Sequence, residues 1–162
     1  NLSARQFQCE DLSTHIEDAL SASGLQPHML ELELTESILM VEPGKAIDLL
    51  NKLAAFGVRM AIDDFGTGYS SLSYLKLFPV HRLKIDRSFV RDLTIDANDA
   101  AIVEAVIAMA RSLKLEVIAE GVETHIQLQY LIDHGCTEIQ GYFFSRPRVA
   151  EEINDCKFRF PC

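Results

Sequence analysis

Apolar positions along the chain recur at two alternating periods. Leu12, Ile16 and Leu20 share one face of a predicted helix, and Gly24 follows as a natural C-terminal stop. After Pro27, the run 29–34 predicts a strand. A second helix opens at Pro43, which suits a first helical turn. It carries Ile47, Leu50, Leu53 and Ala54 on one face and stops at Gly57. Strand patterns follow at 58–62, 82–86, 117–120 and 138–143, and helical patterns at 70–77, about 98–113 and 125–134. Pro79 and Gly135 act as breakers, Ile102, Val106, Ala110 and Leu113 form the stripe of the longest helix, and a last short helix is expected near Ala150.

The connections between strands are too long for hairpins, so a parallel sheet with helices outside is expected. Strands covered on both faces read as nearly continuous apolar runs. These do not. With the two-residue period of a strand, one face collects Leu32, Leu34, Val58, Met60, Ile62, Leu83, Ile85, Val117 and Ala119. The opposite face collects Glu31, Glu33, Arg59, Asp63, Arg82, Lys84, Asp86, Glu116, Glu120, Glu138 and Gln140. A polar face on five consecutive parallel strands fits a closed interior of paired charges, so the predicted class is α/β, a TIM-like (β/α) barrel. The 162 residues make one domain with a real core, yet a complete eight-fold barrel needs roughly 200–250. The expectation is therefore most of a barrel rather than a complete one.

Composition narrows the chemistry. Fifteen Lys and Arg stand against 24 Asp and Glu, a net charge of −9, which argues against binding duplex DNA or RNA through clustered basic side chains. No apolar run reaches the ~18–20 residues of a membrane span, and no leader pattern opens the sequence. Cys9, Cys136, Cys156 and Cys162 are scattered without a Cys-x-x-Cys pair, which is consistent with reduced thiols and a cytoplasmic setting.

Each predicted strand ends on a polar residue: Glu33, Asp63, Lys84, Glu120 and Gln140. Barrel active sites are built at that C-terminal mouth. Carboxylates gathered there would repel one another without a cation among them. Hard oxygen donors with no His or Cys cluster point to Mg²⁺ or Mn²⁺, and a pair of such ions can clamp the attacking and leaving oxygens of a phosphodiester. Metals would also reconcile an acidic protein with an anionic phosphate substrate.

The segments Glu33-Leu34-Thr35-Glu36, Asp63-Asp64-Phe65-Gly66-Thr67-Gly68-Tyr69-Ser70-Ser71, Lys84-Ile85-Asp86, Glu120-Gly121-Val122-Glu123-Thr124 and Gln140-Gly141-Tyr142 resemble, in order, the motifs of EAL-domain cyclic di-GMP phosphodiesterases. The opening Asn1-Leu2-Ser3 resembles that family's asparagine motif, and the resemblance runs from residue 1 to about Pro147. It implies that Asn1, Glu33 and Asp63 ligate one metal ion, and that Asp63 bridges to a second held with Asp64 and Glu120. It implies further that Lys84 orients or polarises the attacking water, Glu120 is the general base, and Gln140 fixes metal-bound water. Glu36 and Glu123 would hold the loop Phe65, Gly66, Thr67, Gly68, Tyr69, Ser70 and Ser71 in its working shape, while Asp86 belongs near the site without a firm role. The implied reaction is in-line attack of metal-activated water on one phosphorus of cyclic di-GMP, giving linear pGpG.

By the same resemblance, residues 1–162 form a partial EAL domain, a TIM-like (β/α) barrel that is N-terminally incomplete, because the Glu-Ala-Leu motif, whose glutamate is a metal ligand, is absent. Other implied features are a homodimer through the loop after Asp64 and room for an upstream sensor or GGDEF-type domain. The cytoplasmic part of a larger, membrane-attached protein also fits. A catalytically silent EAL-like module that binds cyclic di-GMP or a protein partner is the alternative. The retained acidic residues and Lys84 favour the enzyme.

Other signals carry less. Asp64-Phe65-Gly66 matches a kinase tripeptide, but no His-Arg-Asp loop precedes it. Gly66-Thr67-Gly68 is not a dinucleotide fingerprint, and no Gly-x-Ser-x-Gly elbow is present. The five histidines show no ligand spacing, and Phe158 and Phe160 are expected to pack.

Overall fold

Five parallel strands lie side by side in the order β1-β2-β3-β4-β5 in the computed structural model, which describes residues 1–68, 72–136 and 138–153. They are β1 (Glu31–Thr35), β2 (Arg59–Phe65), β3 (Arg82–Ile85), β4 (Glu116–Glu120) and β5 (Glu138–Gln140). Helices α1 (Ala4–Phe7) and α2 (Leu12–Ser23) precede β1, and α3 (Glu36–Val41) and α4 (Pro43–Phe56) join β1 to β2. Helix α5 (Leu72–Leu75) leads to β3, then α6 (Arg87–Asp92) and α7 (Ala97–Leu113) to β4, α8 (His125–Asp133) to β5, and α9 (Ala150–Ile153) follows. This βα succession on one continuous parallel sheet is the TIM-barrel-like α/β architecture that the pattern predicts.

The two-residue period decides what goes where. Leu34, Met60, Ile62, Leu83, Ile85 and Ala119 are fully buried, packed in one core with Ala46, Leu50 and Leu53 of α4, Val103, Val106, Ile107 and Ala110 of α7, and Leu131 of α8. Each such Leu or Ile side chain contributes roughly 1.5–3 kcal/mol on burial. Val103 and Ile107 complete the buried stripe of α7, whereas Ile102 turns toward Gly66 at the sheet's mouth.

On the other face, the ends of the strands before the mouth form a floor of charge. Arg82 bonds Glu31 at 2.9 Å, Glu116 at 2.8 Å and Glu138 at 2.9 Å, and Arg59 joins Glu31 and Glu116. Alternation places these side chains inward, and mutual pairing is what lets them stay there.

Several boundaries differ from the pattern. Pro27–Met29 forms a 3₁₀ turn, closed by Leu30 N–H to the Pro27 carbonyl at 3.0 Å, so β1 begins later than residue 29. β2 runs on to Phe65 and takes both aspartates into the strand. The helix expected at 70–77 is shorter, and Ser70 and Ser71 lie outside the described residues. Asp86 ends β3 by capping α6, a helix that the alternation did not predict. β5 stops at Gln140 because the chain then crosses the Val122 backbone. A Cβ on Gly141 would meet the Val122 carbonyl oxygen at 2.1 Å, and Val122 N–H donates to the Gln140 carbonyl at 3.1 Å.

Replacing Arg82 with Met leaves Glu31, Glu116 and Glu138 facing one another with Arg59 alone. A fully buried pair broken this way costs about 3–5 kcal/mol. These carboxylates are partly exposed, so a loss of about 2 kcal/mol is expected, read as a lower urea midpoint at unchanged m. Hydrogen bonding from Arg59, joined by Arg82, holds the Glu116 carboxyl below its ordinary value against the upward push of burial. The advantage of wild type over Arg82→Met is therefore present above the ordinary Glu range and fades as pH falls through the lowered folded value. Equal urea midpoints at neutral pH would contradict this role.

Candidate active site

Lys84 sits at the centre of the mouth. Its position on β3 turns the side chain inward, and only 7% of that side chain remains exposed. The ammonium lies 2.7 Å from Glu33 of β1, 3.1 Å from Asp63 of β2 and 2.8 Å from Glu120 of β4. Burial alone would lower its pKa, but hydrogen bonds to Glu120, Glu33 and Asp63 overcome that and raise it. Lys84 thus remains a cation at neutral pH. It can orient an oxygen or stabilise negative charge, and it cannot take a proton.

Asp64 reaches the same region by a break in the strand. Between the pairs Ile62–Leu83 and Phe65–Ile85, β2 carries one residue more than β3, the signature of a β-bulge. Asp64 sits there with φ of 53°, a left-handed backbone that Asp tolerates better than most residues. Burial, the charge of Asp63, a hydrogen bond to Asp86 and the charges of Asp86 and Glu120 together raise its carboxyl pKa. Asp86 responds in the opposite direction. Burial pushes it up, but hydrogen bonds from the Ser88 hydroxyl and backbone N–H, then from Asp64, leave it lowered. The Ser88 N–H bond, 2.8 Å, is the N-cap of α6.

The remaining predicted residues fall around this centre. Leu2 N–H donates to the Glu33 carbonyl at 2.9 Å, which sets Asn1 beside the end of β1. Gln140 is exposed on β5 and in register with Glu120. Phe65 is buried, and Gly66 follows with φ of 97°, where a Cβ would press on Phe89 at 3.2 Å. The Thr67 hydroxyl returns to the Asp64 carbonyl at 2.8 Å. Glu36, only 2% exposed, lies under this loop: its Oε2 accepts from Gly66 N–H at 3.5 Å, and a Cβ on Gly68 would touch its carboxyl at 3.2 Å. Tyr69, Ser70 and Ser71 lie outside the described residues. Glu123 is exposed, and its backbone N–H donates to Gln127 Oε1 at 2.9 Å.

The buried, polar Gln127 and helix α6 were missed by the strand pattern, although Asp86-Arg87-Ser88 carries a capping signal and Thr124-His125-Ile126-Gln127 a capping box. Burial pushes the Cys136 thiol up to about 11, so it is an unreactive core group.

Among the described residues, no three carboxylates are already drawn together tightly enough to enclose an ion, because Lys84 stands among Glu33, Asp63 and Glu120. The donor set nevertheless fits a hard divalent cation. Glu33, Asp63, Asp64, Asp86 and Glu120 supply only oxygens, and Lys84 is the one ammonium paired among them. Burial is the largest cause of the upward shift at Asp64, and the charges of Asp63, Asp86 and Glu120 add a repulsion that a cation would relieve.

Asp64→Asn tests that repulsion. Asn tolerates the left-handed backbone and can still donate to Asp86. The metal-free variant should melt roughly 2–4 °C above wild type, about 1 kcal/mol for a domain of this size. Because the folded pKa is raised, the wild-type penalty grows as pH rises through the carboxylate range, so the gain should be larger at pH 8 than at pH 4. A lower midpoint for the variant at pH 8 would contradict the repulsive cluster.

Residues 1–147 match the family model described as the EAL domain. The chain is 47% identical over 153 residues to the bifunctional diguanylate cyclase/cyclic di-GMP phosphodiesterase MucR of Pseudomonas aeruginosa, covering 94% of this chain and 22% of that protein. The chain spans about a fifth of the length of the curated relatives it matches. A solved structure of the PaMucR phosphodiesterase in complex with c-di-GMP superposes with a TM-score of 0.92 at 47% identity, covering 94% of this chain and 62% of that one. BlrP1 of Klebsiella pneumoniae, solved at pH 6 with manganese and cyclic di-GMP, superposes with a TM-score of 0.80 at 37% identity over 88% of this chain and 36% of that one. The strand-end acids, the buried lysine and these matches agree: the chain belongs to the EAL-domain family.

Proposed function

We propose that this chain carries the catalytic machinery of a metal-dependent phosphodiesterase that opens cyclic di-GMP to linear pGpG. The observation that carries the reading is the buried Lys84 ammonium set among Glu33, Asp63 and Glu120, with Asp64 turned into the same mouth by a bulge. The c-di-GMP bound to PaMucR and the manganese and cyclic di-GMP bound to BlrP1 support the same chemistry here.

In this reading Asn1, Glu33, Asp63, Asp64 and Glu120 hold two divalent cations, Mg²⁺ or Mn²⁺. Bound there, the ions supply Lewis-acid polarisation of the phosphate and lower the pKa of the attacking water. Lys84, the ammonium set among Glu33, Asp63 and Glu120, holds the nucleophile in line with the scissile P–O bond. Glu120 takes the proton that the water loses as the new P–O bond forms. The ester oxygen leaves with the P–O bonding pair and takes a proton from solvent water to become a hydroxyl, and the ring opens to a linear dinucleotide. Gln140, in register with Glu120, steadies water at the site, and Asp86 orients Asp64. Glu36 supports the loop Gly66–Gly68 from beneath, and Glu123 acts on the same loop.

The loop after Asp64 leads into α5, where Leu72 is 56% exposed, as is Leu77 just beyond the helix, and we place a homodimer contact there. MucR is named as bifunctional, which supports an upstream GGDEF-type or sensor partner for this chain. Among the described residues no helix is long and apolar enough to cross a membrane. We assign the reaction to the cytoplasm, whether the protein is free there or attached to a membrane by another part.

Hydrolysis of cyclic di-GMP by the natural protein, with Mg²⁺ or Mn²⁺, tests the reading. Turnover to pGpG should stop with a chelator and fall about 10³-fold or more in Glu120→Ala, which removes a base and a donor together. A folded protein that binds cyclic di-GMP with metal present and never turns it over would make it a receptor instead.

A further inference from the structure

Gln127 is one of three polar or charged residues buried among the described residues, at 6% exposure, and the chemistry above does not use it. Both ends of its amide are engaged. Its Oε1 accepts from the backbone N–H of Glu123 at 2.9 Å and of Thr124 at 3.0 Å, and its Nε2 donates to the Arg91 carbonyl at 3.2 Å. The Thr124 bond belongs to the capping box of α8, in which the Thr124 hydroxyl accepts from Gln127 N–H at 3.2 Å, and the Glu123 bond extends it by one residue upstream. The third does neither. It reaches 36 residues back in sequence to the C-terminal turn of α6.

Helix α6 touches the site at its other end. Asp86 caps it and hydrogen-bonds Asp64. Along its side, Arg87 packs on the turn that follows Glu120: a Cβ on Gly121 would meet the Arg87 Cβ at 2.6 Å, and Gly121 holds φ of 74°. The short helix is thus a strut between the Asp64 carboxyl on one side and the segment following Glu120 on the other. Gln127 is the fastening at its far end.

We propose that Gln127 is a positioning residue for the reaction. By tying the Glu123–Thr124 backbone to the Arg91 carbonyl, it fixes the turn that aims Glu120 relative to Asp64. The inference rests on the phosphodiesterase reading and deepens it, because Glu120 and Asp64 come from different strands and must be held in one geometry. Supporting residues of this kind commonly change metal affinity or activity by 10–100-fold, and small misplacements of reacting groups are costly.

The amide's two halves can be separated. Gln127→Glu keeps the oxygen that accepts from Glu123 and Thr124 and loses the donor to Arg91. Gln127→Met loses both. Thr124→Ala weakens the cap of α8 and leaves the α6 tie in place. In the natural protein, kcat and KM for cyclic di-GMP would be measured with the Mn²⁺ affinity, from free Mn²⁺ by electron paramagnetic resonance, and the thermal midpoint. We expect kcat and Mn²⁺ affinity to fall 10–100-fold in both Gln127 variants with KM little changed. Thr124→Ala should lower the thermal midpoint and keep kcat. Wild-type kcat and Mn²⁺ affinity in a folded Gln127→Glu would overturn the proposal, as would an equal loss of kcat in Thr124→Ala. An inactive wild type would signal failure of the phosphodiesterase reading itself. The Mn²⁺ affinities of wild type and Gln127→Glu would then still decide whether the α6 tie aims the carboxylates.

Discussion

One ammonium group holds the mouth of this sheet together. Lys84 projects from the middle strand and meets carboxylates from β1, β2 and β4, so four strands converge on a single charge. The strand period makes this possible, since alternate side chains must share one face. Charge balance makes it necessary. Three carboxylates this close would otherwise protonate or separate. The same logic recurs below, where Arg82 gathers Glu31, Glu116 and Glu138. The interior of the sheet is therefore layered by charge, with a floor whose two arginines pair all three carboxylates and a mouth that carries a larger excess of acid.

That excess is where stability and chemistry part company. The floor pairs its charges and serves the fold. The mouth leaves Asp64 raised above its ordinary pKa by burial and by Asp63, Asp86 and Glu120, and a divalent cation would relieve the repulsive part. The Asp64 backbone is strained, left-handed on a bulge. Local departures of this kind persist where the surrounding structure enforces them, and they gather at functional sites. Helix α6 and its fastening through Gln127 are the enforcing structure on this side of the mouth.

Much of this was legible in the sequence. The alternation of Leu32, Leu34, Met60, Ile62, Leu83 and Ile85 with Glu33, Asp63 and Lys84 gave both the parallel sheet and its polar face, because strand periodicity is a local property. What escaped depends on non-local geometry. Nothing in Asp63-Asp64 announces that an extra residue will bulge against β3. The α6 helix follows a strand directly, so its apolar residues Phe89 and Val90 blur into the run before it, and only the Asp86 cap marks its start. Gln127 has a signal as a capping residue, but its bond to Arg91 becomes visible only when two distant segments meet. The closing strand was overextended for a similar reason, since Gly141 ends it by crossing another turn rather than by any local break.

The most direct test of this acid-rich mouth as a cation site is anomalous X-ray scattering from crystals of the protein grown with Mn²⁺. Two manganese peaks bounded by Glu33, Asp63, Asp64 and Glu120 are expected, with the Lys84 ammonium displaced from at least one of its three carboxylates. Saturating Mn²⁺ with no peak at the mouth, and Lys84 still bonded to Glu33, Asp63 and Glu120, would contradict the assignment of these acids as a cation site.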